Sequence, residues 1–162
     1  MGNDRDKEIN LRDFAQVYRR DAAAFHGRAP ELVTYRHIVA PALRRYLGEY
    51  FPILYRRIAH VLDIGSASGR NVHTLMGEGF SAENILGVEI SPDQVEIASR
   101  EIPGATFEIG DISSHTLIPN YNELAIMIMV PEFLDDGRYP RALDNISASM
   151  KNGGVFVYIT TH

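Results

Sequence analysis

Val61-Leu62-Asp63-Ile64-Gly65-Ser66-Ala67-Ser68-Gly69-Arg70-Asn71 is the stretch that decides the fold. An apolar run from Ile58 to Ile64, broken by the single acid Asp63, ends in a turn of small residues. A short apolar run that stops at such a turn reads as a buried strand. The small residues after it let the backbone approach a ligand closely. The helix expected next, from about Arg70 to Glu78, would present free N–H groups to the same place.

The pattern repeats toward the C-terminus. Ile85–Ile90 reads as a second strand. Ser91-Pro92 opens a helix carrying Val95, Ala98 and Ile102, with the Ser91 side chain expected to accept a backbone N–H and Pro92 to take the first helical position. Ala105–Ile109 is a third strand, and Leu124–Val130 a fourth, apolar throughout as a strand covered on both faces must be. A helix from about Tyr139 to Met150 is expected to stop at Asn152-Gly153-Gly154, followed by a fifth strand, Val155–Thr160. Strands alternating with helices imply an α/β, doubly wound parallel sheet with right-handed crossovers over residues 58–162.

Residues 1–57 read differently, as a helical layer. Leu11, Phe14, Ala15, Tyr18, Ala22 and Phe25 recur at helical spacing up to a stop near Gly27. Pro30 suits the first turn of a second helix, Pro41 is expected to kink or end it, and a third piece runs from Ala42 to about Tyr50. Charge divides at the same place: residues 1–60 hold 11 basic against 7 acidic residues, and residues 61–162 hold 5 against 14, for a net charge of −5. Acids interrupt the basic positions and no basic-aromatic stripe appears, which argues against nucleic acid as a partner. The longest apolar run, Leu124 to Val130, falls far short of the roughly 20 residues a membrane helix needs. With no Cys there is no disulfide framework, thiolate metal site or thiol nucleophile, and the composition fits a cytoplasmic protein. His26, His37, His60, His73 and His115 lack metal-ligand spacing, so no metal site is expected.

In sheets of this kind ligands sit beyond the carboxyl ends of the strands, near the switch point. Three acids fall there. Asp63 lies at the end of the first strand, Glu89 at the end of the second, 24 residues after Gly65, and Asp111 follows the third in Gly110-Asp111-Ile112. A carboxylate at Glu89 suits the two hydroxyls of a ribose; one at Asp111 suits an exocyclic amine, with Ile112 against a purine face. Singly, Asp63 could orient its loop, Glu89 begin a helix and Asp111 form a turn; together on one sheet edge they point to a nucleoside.

This constellation resembles the class I S-adenosylmethionine-dependent methyltransferases. Four segments carry the resemblance in order: the stretch from Val61 to Asn71, Gly87-Val88-Glu89-Ile90-Ser91, Gly110-Asp111-Ile112, and Met150-Lys151-Asn152-Gly153-Gly154-Val155-Phe156. The resemblance implies a Rossmann-like sheet of order 3-2-1-4-5, with S-adenosylmethionine as cofactor and S-adenosylhomocysteine as product. Asp63, Gly65, Ser66, Ala67 and Gly69 would cradle the methionine end, Glu89 the ribose with Ile90 beside the adenine, and Asp111 and Ile112 the adenine. A Tyr from an N-terminal helix would cover the site, with Tyr18 ahead of Tyr35 as candidate. The family usually continues past the fifth strand with a sixth and seventh, so the resemblance implies that residues 58–162 are a C-terminally incomplete core from a longer enzyme; the other readings are a fifth-strand edge that pairs or swaps between two copies, and a reduced, inactive relative.

A nucleotide dehydrogenase competes for the glycine turn, but its fingerprint wants glycines where this chain has Gly65, Ala67 and Arg70. The fit to the methyltransferase turn has one departure, Ala67 in place of its middle glycine. Methyl transfer from a sulfonium demands alignment and exclusion of water more than a catalytic triad. The Asn/Asp-Pro-Pro-Tyr type motif of amine methylation is missing after the fourth strand, where Ile128 stands at the polar position and Glu132 near the usual His. A small-molecule acceptor methylated on O or C is therefore expected, with Glu132 the candidate base. The other reading is a non-catalytic module or inactive fragment that keeps the fold and binds through its open edge.

Overall fold

A computed structural model of the protein describes residues 35–130 and 134–159. A wide helical turn, Tyr35–Val39, runs into α1 (Ala40–Tyr50), followed by the short α2 (Ile53–Arg56). Then come β1 (Val61–Ile64), α3 (Arg70–Gly77), β2 (Ile85–Glu89), α4 (Pro92–Glu101), β3 (Thr106–Ile109), β4 (Asn122–Ile128), α5 (Arg138–Ser149) and β5 (Met150–Ile159). The strands form one parallel sheet in the order β3-β2-β1-β4-β5. The chain steps outward from β1 to β3 and returns to β4 on the other side, so the switch point lies between β1 and β4. This is the expected Rossmann-like architecture.

Side chains alternate across the sheet and divide the core into two layers. Val61 of β1 and Leu124, Ile126 and Ile128 of β4 pack with Tyr35, Val39, Leu43 and Leu47 from the N-terminal side and with Val72 and Leu75 of α3. Leu62 and Ile64 of β1 and Ala125 and Met127 of β4 face the opposite way, against Ala142 and Ile146 of α5. Both faces of the central strands are thus covered, which explains their near-continuous apolar sequence. Asp63 shares the parity of Val61, as Glu89 shares that of Ile85 and Gly87, so both acids fall on the α1/α3 side. Among the described residues no helix is long and apolar enough to cross a membrane.

Several local expectations are corrected. The helical piece expected from Ala42 begins at Ala40, directly after the wide turn Tyr35–Val39, and Pro41 sits in its first turn, where the N–H it lacks has no helical partner. Ile58 is 66% exposed and precedes the first strand, which begins at Val61. The fourth strand ends at Ile128, because Met129 adopts φ 57°. Ser91 begins α4 without a side-chain cap bond; its backbone N–H instead donates to Glu89. Gly153 does have a positive φ, 79°, but within β5, since α5 stops at Ser149 and β5 starts at Met150. There β5 carries an irregularity: Asn122 pairs with Met150 and Leu124 with Val155, so residues 151–154 stand opposite Glu123 alone. An ion pair between Lys151 and Glu123 spans it.

Candidate functional site

The turn after β1 is shaped by its own backbone. Gly65 (φ 67°), Ala67 (φ 45°) and Gly69 (φ 85°) all take the left-handed conformation. A side chain at Gly65 would overlap Cγ2 of Val130, which follows β4 across the switch point. Ala67 stands where the resemblance expected glycine, and it adopts the conformation glycine would take freely. The cost, about 1 kcal/mol, is offset by a bond from its N–H to Oε2 of Glu89 at 3.0 Å.

Glu89 is therefore the brace of the turn. Its Oε2 holds Ala67 and its Oε1 accepts the N–H of Ser91 at 2.9 Å. Burial pushes its carboxyl above the usual range, while the N–H groups of Ser91, Ala67 and Ile90 pull it back. Each oxygen keeps a further lone pair, so the carboxylate retains capacity for two hydroxyl donors. Ile90 beside it is half-buried.

Asp63 is wholly enclosed. Its Oδ1 accepts Nδ2 of Asn71 at 2.9 Å, while Oδ2 has no hydrogen-bond partner. Burial raises its carboxyl to about 7; the Asn71 bond opposes the rise and the charge of Glu89 adds to it. The hydroxyl of Ser66 is likewise buried without a partner. Two orphaned polar atoms beside a left-handed turn and the first N–H groups of α3 form a set of donors and acceptors suited to a polar, zwitterionic group.

Asp111 is more committed than expected. Its Oδ1 accepts the N–H of Ser113 at 2.9 Å, closing the turn after β3, and its Oδ2 lies 3.5 Å from the Arg138 guanidinium. Ile112 is buried among Leu62, Ile64 and Val88. The structure thus brings Asp63, Gly65, Ser66, Ala67, Gly69, Glu89 and Ile90 together around one turn, with Asp111 and Ile112 after the neighbouring edge strand. Tyr18 and Glu132 lie outside the described residues. Tyr35, the second choice for the covering tyrosine, does reach α3: its hydroxyl bonds Asn71 at 2.8 Å and stands 3.1 Å from that of Thr74.

Asn71, Thr74 and Arg138 had no assigned role in the sequence. A signal for the first two existed, since they are polar residues three apart and therefore on the face of α3 that also carries Val72 and Leu75 into the core. Arg138 bonds the nearby Asp135, but its contact with Asp111 gave no signal, because that residue is 27 positions away.

A model of a methyltransferase domain matches residues 61–154, more than half of the chain. A comparison with curated proteins gave no match. Among solved structures the chain is similar to a TehB-like SAM-dependent methyltransferase from Corynebacterium glutamicum, at 25% identity over 91% of this chain and 71% of that one, with a TM-score of 0.60. It is also similar in fold to a SAM-dependent methyltransferase from Leishmania major (17% identity, 98% of this chain, 64% of that one, TM-score 0.71). A third is a SAM-bound amino pentose methyltransferase from Micromonospora echinaspora (23% identity, 88% of this chain, 55% of that one, TM-score 0.63). The chain spans less than two thirds of the length of the second and third.

Proposed function

Given that the chain belongs to the methyltransferase-domain family, we propose that it transfers a methyl group to a small-molecule acceptor, on oxygen or carbon. The cofactor is S-adenosylmethionine, which supplies a methyl carbon activated by its sulfonium. The observation that carries the reading is Glu89. Its carboxylate ends β2 beside the switch point, is held by the N–H groups of Ala67 and Ser91, and keeps acceptor capacity for a ribose diol.

Around it the chain's residues have separable tasks. Gly65, Ser66, Ala67 and Gly69 let the backbone approach the methionine end, where Asp63 and Ser66 offer unpartnered oxygens. Ile90, Asp111 and Ile112 mark the adenine side. Their shared work is to bind and align, which supplies much of the rate in an in-line displacement. The end of β4 presents the buried Ile128 and the half-buried Val130, an apolar wall that favours a largely apolar acceptor and excludes water. Glu132 remains the candidate base where the acceptor must lose a proton.

The partner is a small molecule rather than nucleic acid or membrane, in keeping with the net charge of −5. Two copies pairing through β5, one of the two edge strands among the described residues, complete the proposal; a dimer mass in solution would support it and a monomer mass would remove it. The functional test is calorimetric titration with S-adenosylhomocysteine, followed by transfer of labelled methyl to hydroxyl- and carbon-acceptor compounds. Binding with transfer is the expected result. Binding without transfer would turn the protein into a non-catalytic module, and no binding by the folded chain would sink the cofactor site.

A further inference from the structure

Tyr35 precedes Asn71 by 36 residues, yet their side chains meet in the core. The tyrosine O–H donates to Oδ1 of Asn71 at 2.8 Å, which determines how that amide is turned. Its Nδ2 then donates to Oδ1 of Asp63 at 2.9 Å. The same tyrosine oxygen lies 3.1 Å from the Thr74 hydroxyl, and the Arg70 guanidinium sits over its ring, 5.1 Å from the centroid. One side chain from the layer before β1 thus grips α3 at three positions. Tyr35, Asn71 and Asp63 are all buried. An apolar side chain would fill the space, but a chain of buried polar groups specifies one geometry, because each unmet bond is costly.

The placement of this chain gives it a consequence. Asp63 enters the glycine turn and Asn71 leaves it, so the bond between them closes the base of the turn. Whatever fixes Asn71 fixes the direction of the first N–H groups of α3. We propose that Tyr35 and Asn71 are positioning residues for the amino-acid end of the cofactor, acting through Asp63 and the first turn of α3. The inference rests on the cofactor reading above and adds a division of labour: Glu89 serves the nucleoside, and the Tyr35–Asn71–Asp63 chain serves the methionine end.

The test compares two ligands that differ only by that end. S-adenosylhomocysteine carries the amino acid; methylthioadenosine lacks it. Each is titrated into the wild-type chain, Tyr35→Phe, Asn71→Leu and the double variant. Tyr35→Phe, which keeps the ring and its packing, is expected to weaken S-adenosylhomocysteine about 5-fold and Asn71→Leu about 10-fold or more, with methylthioadenosine changed less than about 2-fold. The double variant is expected to bind no worse than Asn71→Leu alone, since the hydroxyl works through the amide. Equal losses for both ligands, no loss for either, or additive losses in the double variant would overturn the proposal. A wild-type chain that binds neither ligand would instead overturn the cofactor reading, and this inference with it.

Discussion

The Glu89 carboxylate accepts the N–H of Ala67 at 3.0 Å, across 22 residues of sequence. One acid at the end of β2 therefore does two things at once. It stabilises the strained turn that follows β1, and it is the residue proposed to hold the ribose. The two tasks have separate signatures in a variant.

Replacing Glu89 by Ala leaves the Ala67 and Ser91 N–H groups without their acceptor and removes the proposed diol site. S-adenosylhomocysteine affinity is expected to fall by about 1–3 kcal/mol, the scale of hydrogen bonds to a charged group. Glu89→Gln keeps the shape and one acceptor oxygen, so it should restore much of the thermal stability while leaving affinity low. Calorimetry beside thermal melts separates the two. Full affinity in the Gln variant would mean that the carboxylate's charge does not serve the cofactor.

Asp63 makes a prediction in pH. Its carboxyl is raised to about 7 by burial, from an unfolded value of about 4. Between those values the folded chain holds a proton that the unfolded chain has lost, so stability falls as pH rises through the window. Below about pH 4 both states are protonated, and above about 7 both are ionised with the full penalty in place. Asp63→Asn keeps an acceptor for Asn71 and removes the titration. Its stability relative to wild type should therefore climb from pH 4 to 7 and then level off, with a ceiling of about 4 kcal/mol. Denaturant melts across that range would show it; parallel curves for the two proteins would sink it.

How far the sequence disclosed this molecule depends on whether a feature is local. The strands and the glycine turn follow from apolar runs, small residues and acids that sit within a few positions of one another, whereas the strand order came only with the family resemblance. Pro41 was ambiguous locally, because a proline can end one helix or begin the next, and only the wide turn at Tyr35–Val39 decides it. The irregularity at Gly153 depends on pairing with β4 and on Glu123, 28 residues from Lys151. The resemblance puts Tyr18 ahead of Tyr35 as the covering tyrosine, and helical periodicity identifies a buried face but not the partner across it. Tyr35 acquires its place from Asn71 and Thr74, contacts no local pattern contains.

Arg56 is the plainest case of hidden function in the fold. In the sequence it reads as one more solvated base in a basic layer, yet it is 5% exposed. Its guanidinium donates to the carbonyls of Leu47 (2.8 Å), Phe51 (3.1 Å) and Glu78 (2.9 Å), satisfying chain ends after α1 and α3 together. Lysine cannot reproduce that fork. Arg56→Lys is expected to cost about 2 kcal/mol and Arg56→Ala about 3–5 kcal/mol, since each leaves buried groups unpaired. Chemical denaturation measures both; losses under 0.5 kcal/mol, the ordinary range for a surface position, would mean that water serves those carbonyls equally well.

Gly65 tests whether the turn and the wall beyond β4 are one unit. Its φ of 67° is left-handed, and a Cβ there would overlap Cγ2 of Val130. Two penalties follow from Gly65→Ala: a conformational cost of about 1 kcal/mol, and a packing cost of about 1–3 kcal/mol as Val130 is displaced. Only the second depends on the neighbour. Val130→Ala makes room, so the double variant should recover the packing share and retain the conformational one. Cofactor affinity should follow the same order, because the strained turn is the one proposed to cradle the cofactor. If Val130→Ala gives no recovery in either melting temperature or affinity, the turn and the wall are independent, and the glycine is required by its backbone alone.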